Sequence, residues 1–227
     1  WSAISFNNGT KSSHRILLKI KFNLLKRTSI KNLNKLIEEN PKWNILDIGC
    51  GYRANQKAST IADIQDLSSY YPDRKFIKIS EKKLPFKDKE FDFVIASHVI
   101  EHVNEFEFFI KEIERISSKG YIELPSRLGD NLVFENKKDH IWWFVFDDIK
   151  NKLLASKKNQ IIEPFINVST AKLLEKIYRE SLVIELLWEE KIDYELDNSI
   201  AALEEKKISF FKIVKKYLSK RIRSFYK

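Results

Sequence analysis

The segment Asn44–Gly51 constrains the fold of this chain more than any other part of the sequence. It reads Asn-Ile-Leu-Asp-Ile-Gly-Cys-Gly, an apolar run that ends in an acid and then in two glycines one residue apart. The apolar run predicts a buried parallel strand. Glycines let the chain turn tightly and approach a ligand closely, because no Cβ stands in the way. A turn of this kind at the carboxyl end of a strand is where open α/β sheets bind nucleotide-like cofactors.

Two common nucleotide sites do not fit the residues after this turn. Arg53 and Ala54 stand where the dinucleotide fingerprint would have its third glycine, and no Gly-Lys-Ser/Thr follows for a phosphate-binding loop. The next strand-like run ends at Ile64, sooner than the position of the acid in an NAD site. The connection between the first two strands is therefore predicted to hold only a short or irregular helix.

Strand-like runs alternate with helical or turn segments through the first half of the chain. The candidates are Asn44–Ile48, Thr60–Ile64, Lys75–Ile79, Phe91–Ser97 and Gly120–Leu124. A helix over Val103–Ile116 separates the last two, and Val183–Glu195 adds one or two late strands. This alternation predicts an α/β, Rossmann-like sheet, mostly parallel with a late antiparallel strand and with helices on both faces.

The flanking regions carry different patterns. Helical spacing predicts two helices between His14 and Glu39, the second capped by Thr28 or Ser29. After Pro125 the patterns predict a loop over Arg127–His140 and an aromatic hairpin with strands His140–Phe146 and Ile149–Ala155. A helix capped by Ser169 or Thr170 and a final amphipathic helix follow. The predicted organisation is a basic helical N-terminal extension over 1–40, a domain over 41–203 with a hairpin insertion at about 127–157, and a basic helix over 204–227.

Charge and cysteine content narrow the function classes. The net charge of +9 is concentrated at the ends, because residues 1–40 carry +6, residues 204–227 carry +7 and the stretch between carries −4. This distribution argues against a broad nucleic-acid-binding face on the body, so nucleic acid is not an expected partner. The single cysteine excludes a disulfide framework and a cysteine-based zinc site, no metal site is predicted, and a cytoplasmic setting fits. The oligomeric state stays open.

The last helix allows two interpretations. Its lysines and arginines surround an apolar stripe that contains aromatic residues. Such a helix can lie on an anionic membrane, which would make the protein membrane-peripheral. The alternative, which we rank first from sequence, is that the stripe packs on the body or on a partner subunit.

Six motifs in order resemble the class I S-adenosylmethionine-dependent methyltransferases. They are Ile45–Gly51, Ala62–Ile64, Leu84–Phe86, Phe91–Ser97, Val99–Val103 and Gly120–Pro125. Within that superfamily the chain is most similar to the branch with Leu-Pro-Phe before the fourth strand and Glu-His after it. That branch includes small-molecule and glycan methyltransferases.

The resemblance implies S-adenosylmethionine as cofactor and a set of residues around it. The glycine turn would approach the nucleoside and the amino-acid tail, Asp47 would neutralise the ammonium group, and Asp63 would accept the ribose hydroxyls, with Asp66 as its substitute. Ser80 stands where the family has an acid beside the adenine, so Glu81 or a backbone group is expected to replace it. The implied cofactor-binding set is Asp47, Gly49, Cys50, Gly51, Asp63, Ile64, Ser80, Glu81 and Ser97.

Methyl transfer is an in-line displacement, so the protein must position a nucleophile and, for a hydroxyl, remove its proton. His98 and His140 are the candidate bases, and His102 is interpreted as a packed helix histidine. We expect an oxygen nucleophile on a small-molecule, glycan or lipid-linked acceptor, with a carbon nucleophile as an alternative. Two other hypotheses are an RNA methyltransferase and a cofactor-binding scaffold subunit without catalysis.

Overall fold

The computed structural model describes residues 24–80, 82–197 and 209–225. A central seven-stranded sheet has the order β1-β9-β6-β5-β2-β3-β4. Its strands are β1 (Leu24–Arg27), β2 (Ile45–Ile48), β3 (Thr60–Asp63), β4 (Lys75–Lys78), β5 (Phe93–Ser97), β6 (Lys119–Pro125) and β9 (Val183–Glu189). A smaller sheet has the order β10-β8-β7, formed by β7 (Trp142–Asp147), β8 (Lys152–Lys157) and β10 (Tyr194–Leu196). The helices are α1 (Ile30–Glu39), α2 (Phe106–Ile116), α3 (Arg127–Leu132), α4 (Asn136–Asp139), α5 (Val168–Leu182) and α6 (Phe210–Phe225).

Strand direction in the central sheet follows the predicted class. Five successive strands of this sheet run parallel to one another, in the order β4, β3, β2, β5 and β6. The late strand β9 is antiparallel to both β6 and β1. The α/β class, the mostly parallel sheet and the late antiparallel strand are therefore confirmed.

Two apolar clusters cover the two faces of the sheet, because successive strand side chains point to opposite sides. In β2, Leu46 and Ile48 belong to one cluster and Ile45 to the other. The first cluster contains the buried face of α2 and the aromatic hairpin, and the second contains Leu33 and Ile37 of α1. Helices thus lie on both faces, and each fully buried large side chain contributes about 1.5–3 kcal/mol.

The N-terminal prediction is wrong for Leu24–Arg27, which form an edge strand instead of a helix. The helical spacing used Leu24, which is exposed, whereas Leu25 is buried opposite Trp188 of β9. Pairing with β9 supplies backbone hydrogen bonds and burial that a local periodicity cannot reveal. Strand β1 and helix α1 both pack on the central sheet, and the division at residue 40 stays a prediction. The predicted helix before residue 24 lies outside the described residues.

Three other boundaries differ from the sequence patterns. The predicted loop Arg127–His140 contains α3 and α4, and α3 is capped by the Ser126 hydroxyl, which accepts from the Gly129 amide at 3.1 Å. Helix α5 is capped by Asn167 rather than by Ser169 or Thr170. Helix α2 begins at Phe106, three residues later than predicted. The cap at Ser29 and the absence of a regular helix between β2 and β3 are as predicted.

Candidate functional site

The direction of chain growth reverses at β2, which creates the site of ligand binding in open α/β sheets. From β2 the chain proceeds outward to β3 and β4, and then returns to β5 on the other side of β2. The carboxyl ends of β2 and β5 therefore border one crevice. A cavity of about 750 Å³ opens there, within the size range of small-molecule sites. Its other wall comes from α3, α4, α5 and the residues between them.

The glycine turn after β2 needs both of its glycines, for different reasons. Gly49 and Gly51 have φ angles of +68° and +48°, in the left-handed region that L side chains rarely adopt. A Cβ on Gly49 would lie 2.3 Å from Cγ2 of Val99, whereas a Cβ on Gly51 would meet nothing within 4 Å. Gly49 is thus required by packing and conformation, and Gly51 by conformation alone.

Two acids hold the turn from opposite sides. Asp47 is buried and lines the cavity, and its Oδ2 accepts from the Asn55 amide at 2.7 Å. Burial raises the pKa of Asp47 to about 6, against the effects of that hydrogen bond and of Arg74. Asp63 accepts from the Gly51 amide at 2.8 Å and from the Gln65 amide at 2.9 Å. It fixes the turn to the end of β3.

Sequence reasoning missed two residues that support this turn. The Tyr71 hydroxyl donates to the Gly51 carbonyl at 2.8 Å and accepts from the Ala54 amide at 3.1 Å. The Arg74 guanidinium donates to the Asn55 and Ala58 carbonyls at 2.9 and 2.8 Å. Both lie in the irregular segment before β4, where no periodic pattern marks them. They pair with backbone groups between residues 51 and 58 that have no helix or strand to satisfy them.

The predicted cofactor residues are divided between the cavity wall and its surroundings. Asp47, Gly49, Cys50 and Ser97 line the cavity. Burial raises the pKa of the Cys50 thiol to about 12, so it stays protonated. Four other predicted residues lie outside that lining: Gly51, Asp63, Ile64 and Ser80. Of these, Ile64 and Ser80 have exposed side chains, whereas Asp63 is buried. Glu81 falls outside the described residues. Asp66 accepts from the Ser68 hydroxyl at 2.7 Å in an exposed turn.

His98 follows β5 directly and is held between two carboxylates. Its φ of +54° is unusual for a residue with a Cβ and costs about 1–2 kcal/mol. Nδ1 lies 3.1 Å from Glu101 Oε1, and Nε2 lies 3.2 Å from Glu123 Oε1. Burial opposes the positive charge, but the hydrogen bonds and charges of Glu101 and Glu123 outweigh it and raise the pKa of His98 to about 10. At neutral pH the ring is an imidazolium that donates from both nitrogens.

Glu123 connects His98 to the late part of the chain. Its Oε2 lies 2.6 Å from the Tyr121 hydroxyl and 2.6 Å from Arg179 of α5. Burial opposes ionisation, but His98, Tyr121 and Arg179 outweigh it and lower the pKa of Glu123 to about 2. Arg179 also pairs with Glu185 of β9 at 3.1 Å. This charged network fixes the floor of the cavity to β5, β6, β9 and α5.

The opposite wall contains His140 and a buried acid, Asp130 of α3. Asp130 Oδ1 accepts from His140 Nδ1, and Oδ2 lies 2.5 Å from Trp143 Nε1 and 2.8 Å from Lys158 Nζ. Burial opposes ionisation of Asp130, but His140 and Lys158 outweigh it and lower its pKa. His102 lies beside His140 in the turn ahead of α2, with ring centroids 4.5 Å apart. The interpretation of His102 as a packed helix histidine is therefore wrong, because it is exposed and lines the cavity.

An open sheet with a glycine turn and a cavity at its switch point defines a Rossmann-like cofactor-binding protein. Residues 46–122 match the family model described as a methyltransferase domain. The matched segment runs from β2 to β6, so it contains the glycine turn and the strands that border the cavity.

Other known proteins are similar to this chain. The uncharacterized protein MJ0638 of Methanocaldococcus jannaschii is 31% identical over 147 residues, which cover 58% of this chain and 59% of that protein. The chain therefore spans less than two thirds of this relative's length. The crystal structure of a Thermotoga maritima SAM-dependent methyltransferase, described as a possible histamine N-methyltransferase, has a TM-score of 0.45 at 18% identity, covering 70% of this chain and 88% of that one. The PH0226 protein of Pyrococcus horikoshii has a TM-score of 0.43 at 17% identity, with the same coverage.

Proposed function

We propose that this chain binds S-adenosylmethionine at the carboxyl ends of β2 and β5 and transfers its methyl group to an oxygen of a small-molecule, glycan or lipid-linked acceptor. One observation carries the proposal. A single cavity joins the glycine turn, Ser97 and His98 at one end to the wall that contains His102 and His140 at the other, here called the acceptor wall. A cofactor and an acceptor can therefore meet inside one cavity.

The cofactor end offers complementary groups for each part of the molecule. The carboxylate of Asp47 suits the ammonium of the amino-acid tail, which would also favour its ionised form. Gly49 and Cys50 present backbone at the cavity wall. Asp63 keeps lone pairs on both oxygens for the ribose hydroxyls. The exposed side chain of Ile64 supplies an apolar surface for adenine. Ser80 and Glu81 follow β4 in the sequence and would supply polar groups for the edge of the adenine ring.

The acceptor end needs a group that takes a proton from the hydroxyl. His98 is a poor base in the state described above, because both of its nitrogens already donate to carboxylates. We therefore assign His98 to positioning and keep His140 as the residue that activates the acceptor. Asp130 holds Nδ1 of His140, so Nε2 carries the lone pair.

The experiment combines calorimetry and turnover on the full chain. We expect S-adenosylmethionine to bind, Asp47→Asn to weaken binding, and methyl release with a hydroxyl acceptor to fall in His140→Gln while cofactor binding persists. The control for general effects on this wall is Arg127→Gln, whose guanidinium lies over the Trp143 ring at 4.9 Å from its centroid. Absence of cofactor binding would refute the proposal, whereas binding without turnover on any acceptor would support the scaffold hypothesis.

Helix α6 adds a proposal about partners. At its first residue, Phe210 stacks on Phe165 of the body with ring centroids 5.4 Å apart. Farther along the helix the apolar side chains are open to solvent: Phe211 is 84% exposed, Leu218 52% and Ile222 57%. No helix in the part of the chain that the structure describes is long and apolar enough to cross a bilayer. We propose that α6 lies on an anionic membrane surface, which suits a lipid-linked acceptor. Sedimentation with anionic vesicles tests this: Phe211→Ser should reduce binding, and equal binding without residues 205–227 would rule it out.

A further inference from the structure

Three side chains beside the cavity lie close enough together to bind one metal ion. Glu101, His102 and His140 each offer one ligand atom, and these three atoms lie within 4.8 Å of one another. Backbone hydrogen bonds bring the distant segments together, because the Ile141 and Trp142 amides donate to the Glu101 carbonyl at 2.8 and 3.2 Å. The hairpin insertion is thereby fixed against the turn that follows β5.

Both histidines are oriented with the same ring nitrogen toward a protein acceptor. Nδ1 of His102 lies 3.0 Å from the Asp139 carbonyl oxygen, which can only accept, so this nitrogen carries the hydrogen. Nδ1 of His140 donates to the Asp130 carboxylate. In the neutral form of both rings the lone pair is then on Nε2. Metal-binding histidines are held in this way by a carbonyl or carboxylate on their other nitrogen.

Glu101 supplies a buried oxygen that has no hydrogen-bond partner in the described part of the chain. The residue is fully buried, and Oε1 accepts from His98. Oε2 has no hydrogen-bond partner among the described residues. Leaving a buried charged oxygen unsatisfied is costly. A cation bound to Oε2 would remove that cost.

We propose that Glu101, His102 and His140 bind a divalent transition metal ion such as Zn²⁺. Two imidazole nitrogens and one carboxylate oxygen form a ligand set that Zn²⁺ prefers. Bonds of about 2.1 Å place tetrahedral ligands about 3.4 Å apart, so small side-chain rotations would close the observed spacing. Three protein ligands leave one position open, and it faces the cavity that His102 and His140 line.

The open position takes a water molecule or, resting on the proposed function, the hydroxyl oxygen of the acceptor. A bound metal ion lowers the pKa of such a hydroxyl and so makes it a nucleophile at neutral pH. His140 then activates the acceptor through the ion that it binds, with Nε2 as the ligand atom. The proton released from the hydroxyl passes to water in the cavity.

The test measures metal binding by the full chain after treatment with a chelator, without cofactor or acceptor. Titration with Zn²⁺ should give one site per chain, and Co²⁺ should give the visible absorption of a four- or five-coordinate ion. His102→Gln should weaken Zn²⁺ binding by about 100-fold or more, because loss of an outer-shell partner alone costs about 10–100-fold. His102 is exposed, so this variant should fold normally.

Two controls separate the site from general metal binding. Glu105→Gln changes an exposed acid in the same segment, and His14→Gln removes an imidazole outside the described residues; both should bind Zn²⁺ as the unchanged chain does. Absence of Zn²⁺ binding, or equal affinity in His102→Gln, would overturn the metal site. S-adenosylmethionine binding without metal binding overturns only this inference, and the reverse result overturns only the proposed function.

Discussion

Replacing Gly49 by alanine should destabilise the protein more than the same replacement at Gly51. Both positions have positive φ, so each alanine costs about 1–2 kcal/mol of conformational energy. At Gly49 the new Cβ would also lie 2.3 Å from Cγ2 of Val99, an overpacking that adds about 1–3 kcal/mol. At Gly51 the Cβ has open space. The expected losses are about 2–5 kcal/mol and about 1–2 kcal/mol.

Urea unfolding of the two single variants measures this difference. The effect of alanine on the unfolded chain is the same at both positions and cancels in the comparison. Adding Val99→Ala to Gly49→Ala removes the nearest clashing atoms, so the pair should show a favourable coupling energy of about 1–3 kcal/mol. Equal losses at the two glycines, or no coupling with Val99, would contradict the reasoning from the packing of this turn.

Three further predictions use other parts of the molecule. Asp47 has a pKa of about 6 in the folded state, above its ordinary value, so the folded state keeps the proton to a higher pH than the unfolded state does. The free energy of unfolding should therefore fall as the pH rises from about 4 to 6. The variant Asp47→Asn should lose this slope, and an unchanged slope would count against the role of the buried acid. Affinity for S-adenosylmethionine should rise over the same range, which calorimetry can follow, because the ammonium needs the ionised carboxylate. Arg115→Ala should cost about 3 kcal/mol in urea unfolding, since it leaves the buried Glu112 carboxylate without its partner at 2.7 Å, whereas Lys111→Ala on the exposed face should change little.

The predictable part of the fold depends on local chemistry. The four residues before Gly49 are apolar except for Asp47, as expected for a strand that is buried on both faces. The two glycines mark the turn without knowledge of the rest of the chain. The same holds for the aromatic hairpin, whose residues have strong strand propensity. The edge strand at Leu25 could not be predicted in this way, because its four residues have no period and its partner is β9.

The candidate site likewise has features that local sequence predicts and features that depend on distant parts of the chain. From the sequence alone one could derive the mostly parallel sheet, the glycine turn, the acids at the ends of β2 and β3, and the histidine that follows β5. Only the tertiary structure decided what those histidines do, because hydrogen-bond partners distant in sequence determine which ring nitrogen carries a proton. His98 became an imidazolium through Glu123 of β6, and His140 came to face His102 because the hairpin folds back onto the turn after β5. Charge state and ligand geometry depend on neighbours in space, which a periodicity along the chain does not record.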